Sequence, residues 1–196
     1  MIIGVLALQG AFSEHINALN RIENVSAVEV KTAKSLETID ALIIPGGEST
    51  AMALSAQRNN LIEPLQSFIK SGKPVWGTCA GMIMLSNNAH NIKQGGQALL
   101  GGLDVTVKRN AFGHQIDSFT TPMKIDVLGG DEFLGVFIRA PIIESLGKDV
   151  EIIATLPERD NVVVAVRQGP ILATAFHPEL TRDERFHRYF CSFVKN

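Results

Sequence analysis

Three short stretches of the chain bring together residue types that can do nucleophilic chemistry. The first, VWGTCAGMI at 75–83, sets Cys79 among small residues where an apolar run passes into a helical pattern. Gly77-x-Cys79-x-Gly81 is the sulfur counterpart of the G-x-S-x-G nucleophile elbow, a strand-to-helix turn too sharp for large neighbours. Such a turn presents its side chain at the carboxyl edge of a sheet, where open α/β sheets bind ligands. Unpaired N–H groups and the dipole of the following helix favour a thiolate there. The N–H of Ala80 is placed to stabilise an oxyanion. A free cysteine is more often a buried packing group; the glycine spacing and the strand-to-helix switch favour the nucleophile.

A thiolate nucleophile needs a base, and the base needs an orienting group. His177-Pro178-Glu179 offers both at the end of a predicted strand. Residues i and i+2 of an extended segment share a side, and Pro178 biases His177 toward extended geometry. His177 would take the proton of Cys79 and return it to a leaving group, while Glu179 would hold the imidazole. The competing reading makes His177 a strand end and Glu179 the start of the last helix. The third stretch, Pro45-Gly46-Gly47-Glu48-Ser49-Thr50, closes a strand and opens a helix, with Ser49 or Thr50 expected as N-cap. Two adjacent glycines let a backbone N–H turn into the site as a second oxyanion donor. An ordinary strand-to-helix loop reads the same way, and the G-x-x-x-x-G-K-[ST] phosphate signature is missing.

The remaining histidines have weaker contexts. His187 lies on the closing helix and is expected to be partly solvated; His90 falls in the polar loop Asn87–Gln94; His15 follows Glu14 on the first helix. With His114, they form no pair at metal-ligand spacing, and neither cysteine sits in a zinc pattern. No metal and no cofactor is expected. Cys191 lies beside the apolar stripe of the closing helix and is read as core.

The elements that must position these groups alternate. Strands are predicted over Ile2–Leu8, Asp40–Ile44 and Val75–Gly77, and helices over Phe12–Ile22, Thr50–Gln57, Leu61–Lys70 and Ala80–Asn87. That order implies an α/β fold, an open and mostly parallel central sheet with helices on both faces. Strands then follow closely: Leu103–Lys108, Met123–Val127, Gly135–Ile138, Glu151–Leu156, Val162–Arg167 and Ile171–Phe176, some of them antiparallel. A helix over Arg182–Val194 closes the chain. At 196 residues, 45% hydrophobic and 19% charged, the composition suits one globular domain over 1–196. A net charge of −2 gives no basic surface for nucleic acid or an anionic membrane. No apolar run reaches the ~18 residues of a spanning helix, and MIIGVLALQG lacks the basic start of a signal peptide. A cytoplasmic protein is expected.

With PGGEST, GTCAGM and HPE in this order, the chain resembles the class I, triad-type glutamine amidotransferases. It is most similar to the branch that supplies the glutaminase subunit of pyridoxal 5′-phosphate synthase. The branch signs are Gly4–Ala11 (GVLALQGA) with Glu14-His15, then Arg109–Gly113 (RNAFG) with Gln115–Phe119 (QIDSF), and Gly135–Pro141 (GVFIRAP). The resemblance covers residues 2 to about 190 and implies a flavodoxin-like fold and a reaction. Cys79 would attack the side-chain amide of L-glutamine, release ammonia and leave a thioester that water hydrolyses. By that resemblance Cys79, His177 and Glu179 form the triad, Gly47 and Ala80 give the oxyanion N–H groups, and Gly47, Glu48, Ser49, Arg109, Ile138 and Arg139 bind glutamine. It also implies a partner: a separate synthase subunit that receives the ammonia, with one glutaminase docked on each, weak activity alone and activation on docking. Helix Phe12–Ile22 and the Gln9-Gly10 turn are the candidates for that contact. His114 stands where arginine is common in bacterial relatives, and Asn87–Gly102 is longer than usual. Two rival readings are a cysteine peptidase or glutaminase of another pathway, and a silent glutamine-binding regulatory subunit.

Overall fold

The computed structural model describes residues 1–90, 98–109 and 118–195. In chain order the elements are β1 (Ile2–Leu6), α1 (Phe12–Leu19), β2 (Ser26–Val30), α2 (Ala33–Glu37), β3 (Ala41–Ile44), α3 (Ser49–Arg58), α4 (Ile62–Lys70), β4 (Val75–Thr78), α5 (Ala80–Leu85) and β5 (Ser86–His90). There follow β6 (Leu103–Lys108), β7 (Ser118–Met123), β8 (Phe133–Ile138), β9 (Ile142–Leu146), β10 (Glu151–Leu156), β11 (Val162–Gln168), β12 (Ile171–Thr174) and α6 (Arg185–Cys191).

The central sheet runs β10-β11-β12-β4-β3-β1-β2. From β12 to β2 every pairing is parallel; β10 and β11 add an antiparallel flank. β3, β4 and β12 are buried at every residue, which is why they read as continuous apolar runs rather than alternating ones. Side chains alternate faces along β4. Trp76 packs against Phe186 and Phe190 of α6 on one face, and Gly77 meets α5 at Gly81 on the other. So the expected α/β architecture holds, with helical cover on both sides of the central strand. Outside it, β5-β6-β9 and the hairpin β7-β8 form two smaller sheets.

Several boundaries differ from the sequence reading. Met123–Val127 is not a strand: β7 ends at Met123, and Asp126–Leu128 is a 3₁₀ turn. Met123 and Ile125 are buried, as the alternation suggested, but the ladder with β8 stops at Met123↔Phe133, and among the described residues 126–128 pair with no strand. Helix α5 ends at Leu85 rather than Asn87, and His90 closes β5 rather than lying in a loop. Helix α6 is shorter than Arg182–Val194. The N-cap of α3 is Glu48, whose carboxylate accepts the N–H groups of Thr50 and Ala51. β2, α2 and β9 lie outside the expected elements: β3 and β4 are shorter but wholly buried and mostly apolar, whereas β2 and β9 are mostly exposed or half-buried and α2 buries only Leu36, so none carries a continuous apolar run. His114, residues 110–117 of the RNAFG and QIDSF stretches, and residues 91–97 of the Asn87–Gly102 segment lie outside the described residues. No helix among the described residues is long and apolar enough to cross a membrane.

Candidate active site

β1, β3, β4 and β12 run parallel, so their carboxyl ends open on one edge of the sheet. The segments that follow them hold Gln9-Gly10, Gly46-Gly47, Cys79 and His177. Cys79 bridges β4 and α5 at φ 48°, ψ −102°, a backbone conformation that non-glycine residues rarely adopt. Its N–H donates to the Thr174 carbonyl at 2.7 Å. Both elbow glycines are steric requirements. A Cβ on Gly77 would lie 2.5 Å from the Gly81 carbonyl, and one on Gly81 would lie 2.0 Å from the Ile44 carbonyl. The sharp turn exists because β4, α5 and β3 touch backbone to backbone.

His177 leaves β12 with its N–H on the Val136 carbonyl of β8 (2.8 Å), and its Nδ1 lies 2.8 Å from Glu179 Oε1. Both residues are buried. Burial opposes charge on the ring, yet hydrogen bonding and charge from Cys79 and then Glu179 outweigh it and push His177 up to about 10. Cys79 and Glu179 therefore both contact the His177 imidazole, and the three side chains are contiguous. Burial also works against the Glu179 carboxylate, and His15 and His177 together bring it below the usual carboxylate range.

Beside the sulfur lies a cavity of about 420 Å³, large enough for an amino acid. It is lined by Gly47, Glu48, Ser49, Cys79, Ala80, Arg109, Ile138, Arg139 and His177, with Gln9 and Ile83. Every residue expected at the site faces it except Glu179, which stands behind His177. The Ile138 carbonyl is 3.9 Å from Sγ, and Arg139 at φ 43° is a second strained residue on the same wall. Arg109 is not idle: Glu48 holds its guanidinium at 3.1 Å. Ala80 opens α5, where a helix leaves its N–H groups without intrahelical partners. The Gly46 carbonyl accepts the Ala11 N–H at 3.0 Å; in a planar trans peptide this turns the Gly47 N–H away from Ala11. Gln9 Oε1 accepts the next N–H, of Glu48, at 2.9 Å. A larger concavity, about 550 Å³, lies at the opposite edge by Lys73 and Pro170, and its lining has no cysteine, serine or histidine.

The profile of the SNO glutamine amidotransferase family matches residues 5–196. The chain belongs to that family. It is 50% identical to the probable pyridoxal 5′-phosphate synthase subunit PDX2 of Arabidopsis thaliana, over all of this chain and 86% of the relative. It is also 50% identical to the pyridoxal 5′-phosphate synthase subunit PdxT of Dehalococcoides mccartyi, over all of this chain and 98% of the relative. A crystal structure of a glutamine amidotransferase superposes with TM-score 0.89 at 42% identity, covering 99% of both chains.

In this SNO-family chain one histidine departs from the sequence reading: His187 is fully buried rather than partly solvated. His15, which the sequence reading placed only on the first helix, is fully buried as well. Both belong to the inward faces of their helices: His15 stands four residues before Leu19, and His187 four before Cys191. That helical phase was the signal available in the sequence. His15 Nε2 reaches toward Glu179 Oε2 at 3.4 Å. Among the described residues no group of three or more His, Cys, Asp or Glu side chains is disposed to hold a metal ion.

Proposed function

We propose that this chain is the glutaminase subunit of a pyridoxal 5′-phosphate synthase. It hydrolyses the side-chain amide of L-glutamine and passes the ammonia to a separate synthase subunit, one glutaminase on each, in the cytoplasm. The observation that carries this reading is Cys79 on a strained elbow, sharing a cavity wall with a His177 that Glu179 holds at 2.8 Å. The full-length relatedness to subunits of that synthase supplies the pathway.

The geometry supports the following chemistry. The sulfur anion adds to the amide carbon, and the N–H groups of Ala80 and Gly47 receive the charge that builds on oxygen. His177 gives its proton to the departing nitrogen, so ammonia leaves and a glutamyl thioester remains. His177, now neutral, takes a proton from water, which adds to the thioester; collapse frees glutamate and restores the thiolate–imidazolium pair. The Arg139 guanidinium on the wall suits the α-carboxylate of the substrate. Arg109 serves the same end when substrate competes with Glu48.

Ammonia release from glutamine, measured with and without the synthase subunit, tests this. Wild type is expected to turn over and to be stimulated by the partner, and Cys79→Ala to be silent. Partner-dependent turnover in Cys79→Ala would remove the proposed nucleophile. Native mass of the complex reads the one-to-one ratio.

A further inference from the structure

Glu179 holds His177 with one carboxylate oxygen. The other, Oε2, is wholly buried and has no hydrogen-bond partner by strict geometry among the described residues. The nearest group is Nε2 of His15, at 3.4 Å, from the far side of the carboxylate. The same Nε2 is 3.2 Å from Thr78 Oγ1, and His15 Nδ1 is 3.0 Å from His187 Nε2. Trp76 seals this row, edge-on to both imidazoles at 5.4 and 5.0 Å. Its indole N–H is directed to Thr174 Oγ1 and does not compete.

We propose that His15 is a positioning residue, whose Nε2–H secures the free oxygen of Glu179 while His187 fixes its tautomer. The inference rests on the triad reading above. The hydrogen-bond logic allows one arrangement. If His15 carried its proton on Nδ1, the Nε2 lone pair would face a buried carboxylate oxygen, two acceptors opposed where no water compensates. With the proton on Nε2, His15 donates toward Oε2 and Thr78, and its Nδ1 accepts from His187 Nε2–H. His187 Nδ1 is then left as a bare acceptor, which agrees with its lack of a partner among the described residues. Burial also keeps both rings from charging: it is the largest influence on each, and each holds its proton less tightly than an ordinary histidine. Glu179 thus sits between two imidazoles and cannot rotate. Without His15, a buried carboxylate oxygen has nothing to answer it; Glu179 must turn or take up a proton, and the grip on His177 Nδ1 goes with it.

Nitrogen-15 spectra of the imidazoles in the wild-type chain read the tautomers directly. The expected result is a protonated Nε2 and a bare Nδ1 on His15; a protonated Nδ1 overturns the proposal, whatever the variants do. In the complex with the synthase subunit, His15→Leu is expected to lower kcat for glutamine hydrolysis about tenfold or more, the scale of losing a support behind a metal ligand. KM should stay within about twofold, since no substrate contact is lost. His15→Gln, which can place an amide N–H where Nε2 stood, is expected to recover most of the loss. A folded His15→Leu with wild-type kcat, or a His15→Gln no better than His15→Leu, also overturns it. Cys79→Ala separates the two claims. If it is inactive while His15→Leu is fully active, only the role of His15 falls; if it is active, the triad reading falls first.

Discussion

Gly46 and His177 stand so close that a methyl group on the glycine would lie 2.3 Å from Cε1 and 2.8 Å from Nδ1 of the imidazole, and 3.4 Å from Cβ of Cys79. The atoms in the way belong to a ring that can turn aside, so Gly46→Ala is expected to spare the fold and harm the chemistry. A misplacement of about 1 Å costs roughly a hundredfold in rate, and kcat should fall by that order with KM little moved. Gly81→Ala makes the contrast, because its methyl would meet the Ile44 backbone carbonyl in β3. There the cost is stability, about 1–3 kcal/mol as for other overpacked sites. Urea unfolding and glutamine hydrolysis on both variants check the pair. A fully active Gly46→Ala would mean that the ring is not confined as described.

The nucleophile, its base and the loop glycines were legible because each is a backbone device. A sharp turn needs Gly77 and Gly81, and that need shows as spacing. Residues that act through burial were harder to read. His15 and His187 each look like a polar residue on an amphipathic helix, and only their phase against Leu19 and Cys191 places them inside. The strand misread at Met123–Val127 had the right alternation; what ended it was the ladder with β8 stopping at Phe133, a tertiary fact. Glu48 displaced Ser49 and Thr50 as the α3 cap because Glu48 remains extended (φ −101°, ψ 110°) while the next two residues already belong to the helix.

The His177 proton is held to about 10, against the ordinary 6.5. A histidine whose folded pKa is raised stabilises the folded state fully below pH 6.5, and that contribution is lost as pH rises through about 10. The unfolding free energy of wild type relative to His177→Gln should therefore shrink across that window. In Cys79→Ala the sulfur no longer supports the charge, leaving burial opposed by Glu179 alone, so the ring should titrate well below its wild-type value. Proton NMR of the His177 ring follows the titration. An unchanged value in Cys79→Ala would show that the sulfur is not its partner.

Glu48 does two jobs whose sizes differ. Its carboxylate caps α3 through Thr50 and Ala51 (3.1 and 2.8 Å) and also pairs with Arg109. A cap is worth about 1 kcal/mol, whereas an ion pair with a carboxylate 42% exposed contributes about 0–1 kcal/mol. Glu48→Ala should therefore destabilise the chain more than Arg109→Ala does. Arg109→Ala should instead raise KM for glutamine, with kcat changed less. Denaturant midpoints and steady-state kinetics distinguish them; equal stability losses would mean the ion pair matters more than its exposure allows.

The two thiols differ in setting more than in burial, each being 6% exposed. Cys79 opens on the cavity beside a cationic ring, whereas Cys191 packs in the core, where burial pushes its thiol up to about 11. At pH 8 roughly a thousandth of such a thiol is ionised, and the thiolate is the reactive form. An electrophilic glutamine analogue, or iodoacetamide at pH 8, is therefore expected to leave one adduct per chain, on Cys79, found by peptide mapping. His177→Ala should slow that labelling by withdrawing the positive charge beside the sulfur. Cys79→Ala should take up no label on the same timescale. An adduct that formed first on Cys191 would mean that the cavity does not activate Cys79, and the assignment of the nucleophile would be reversed.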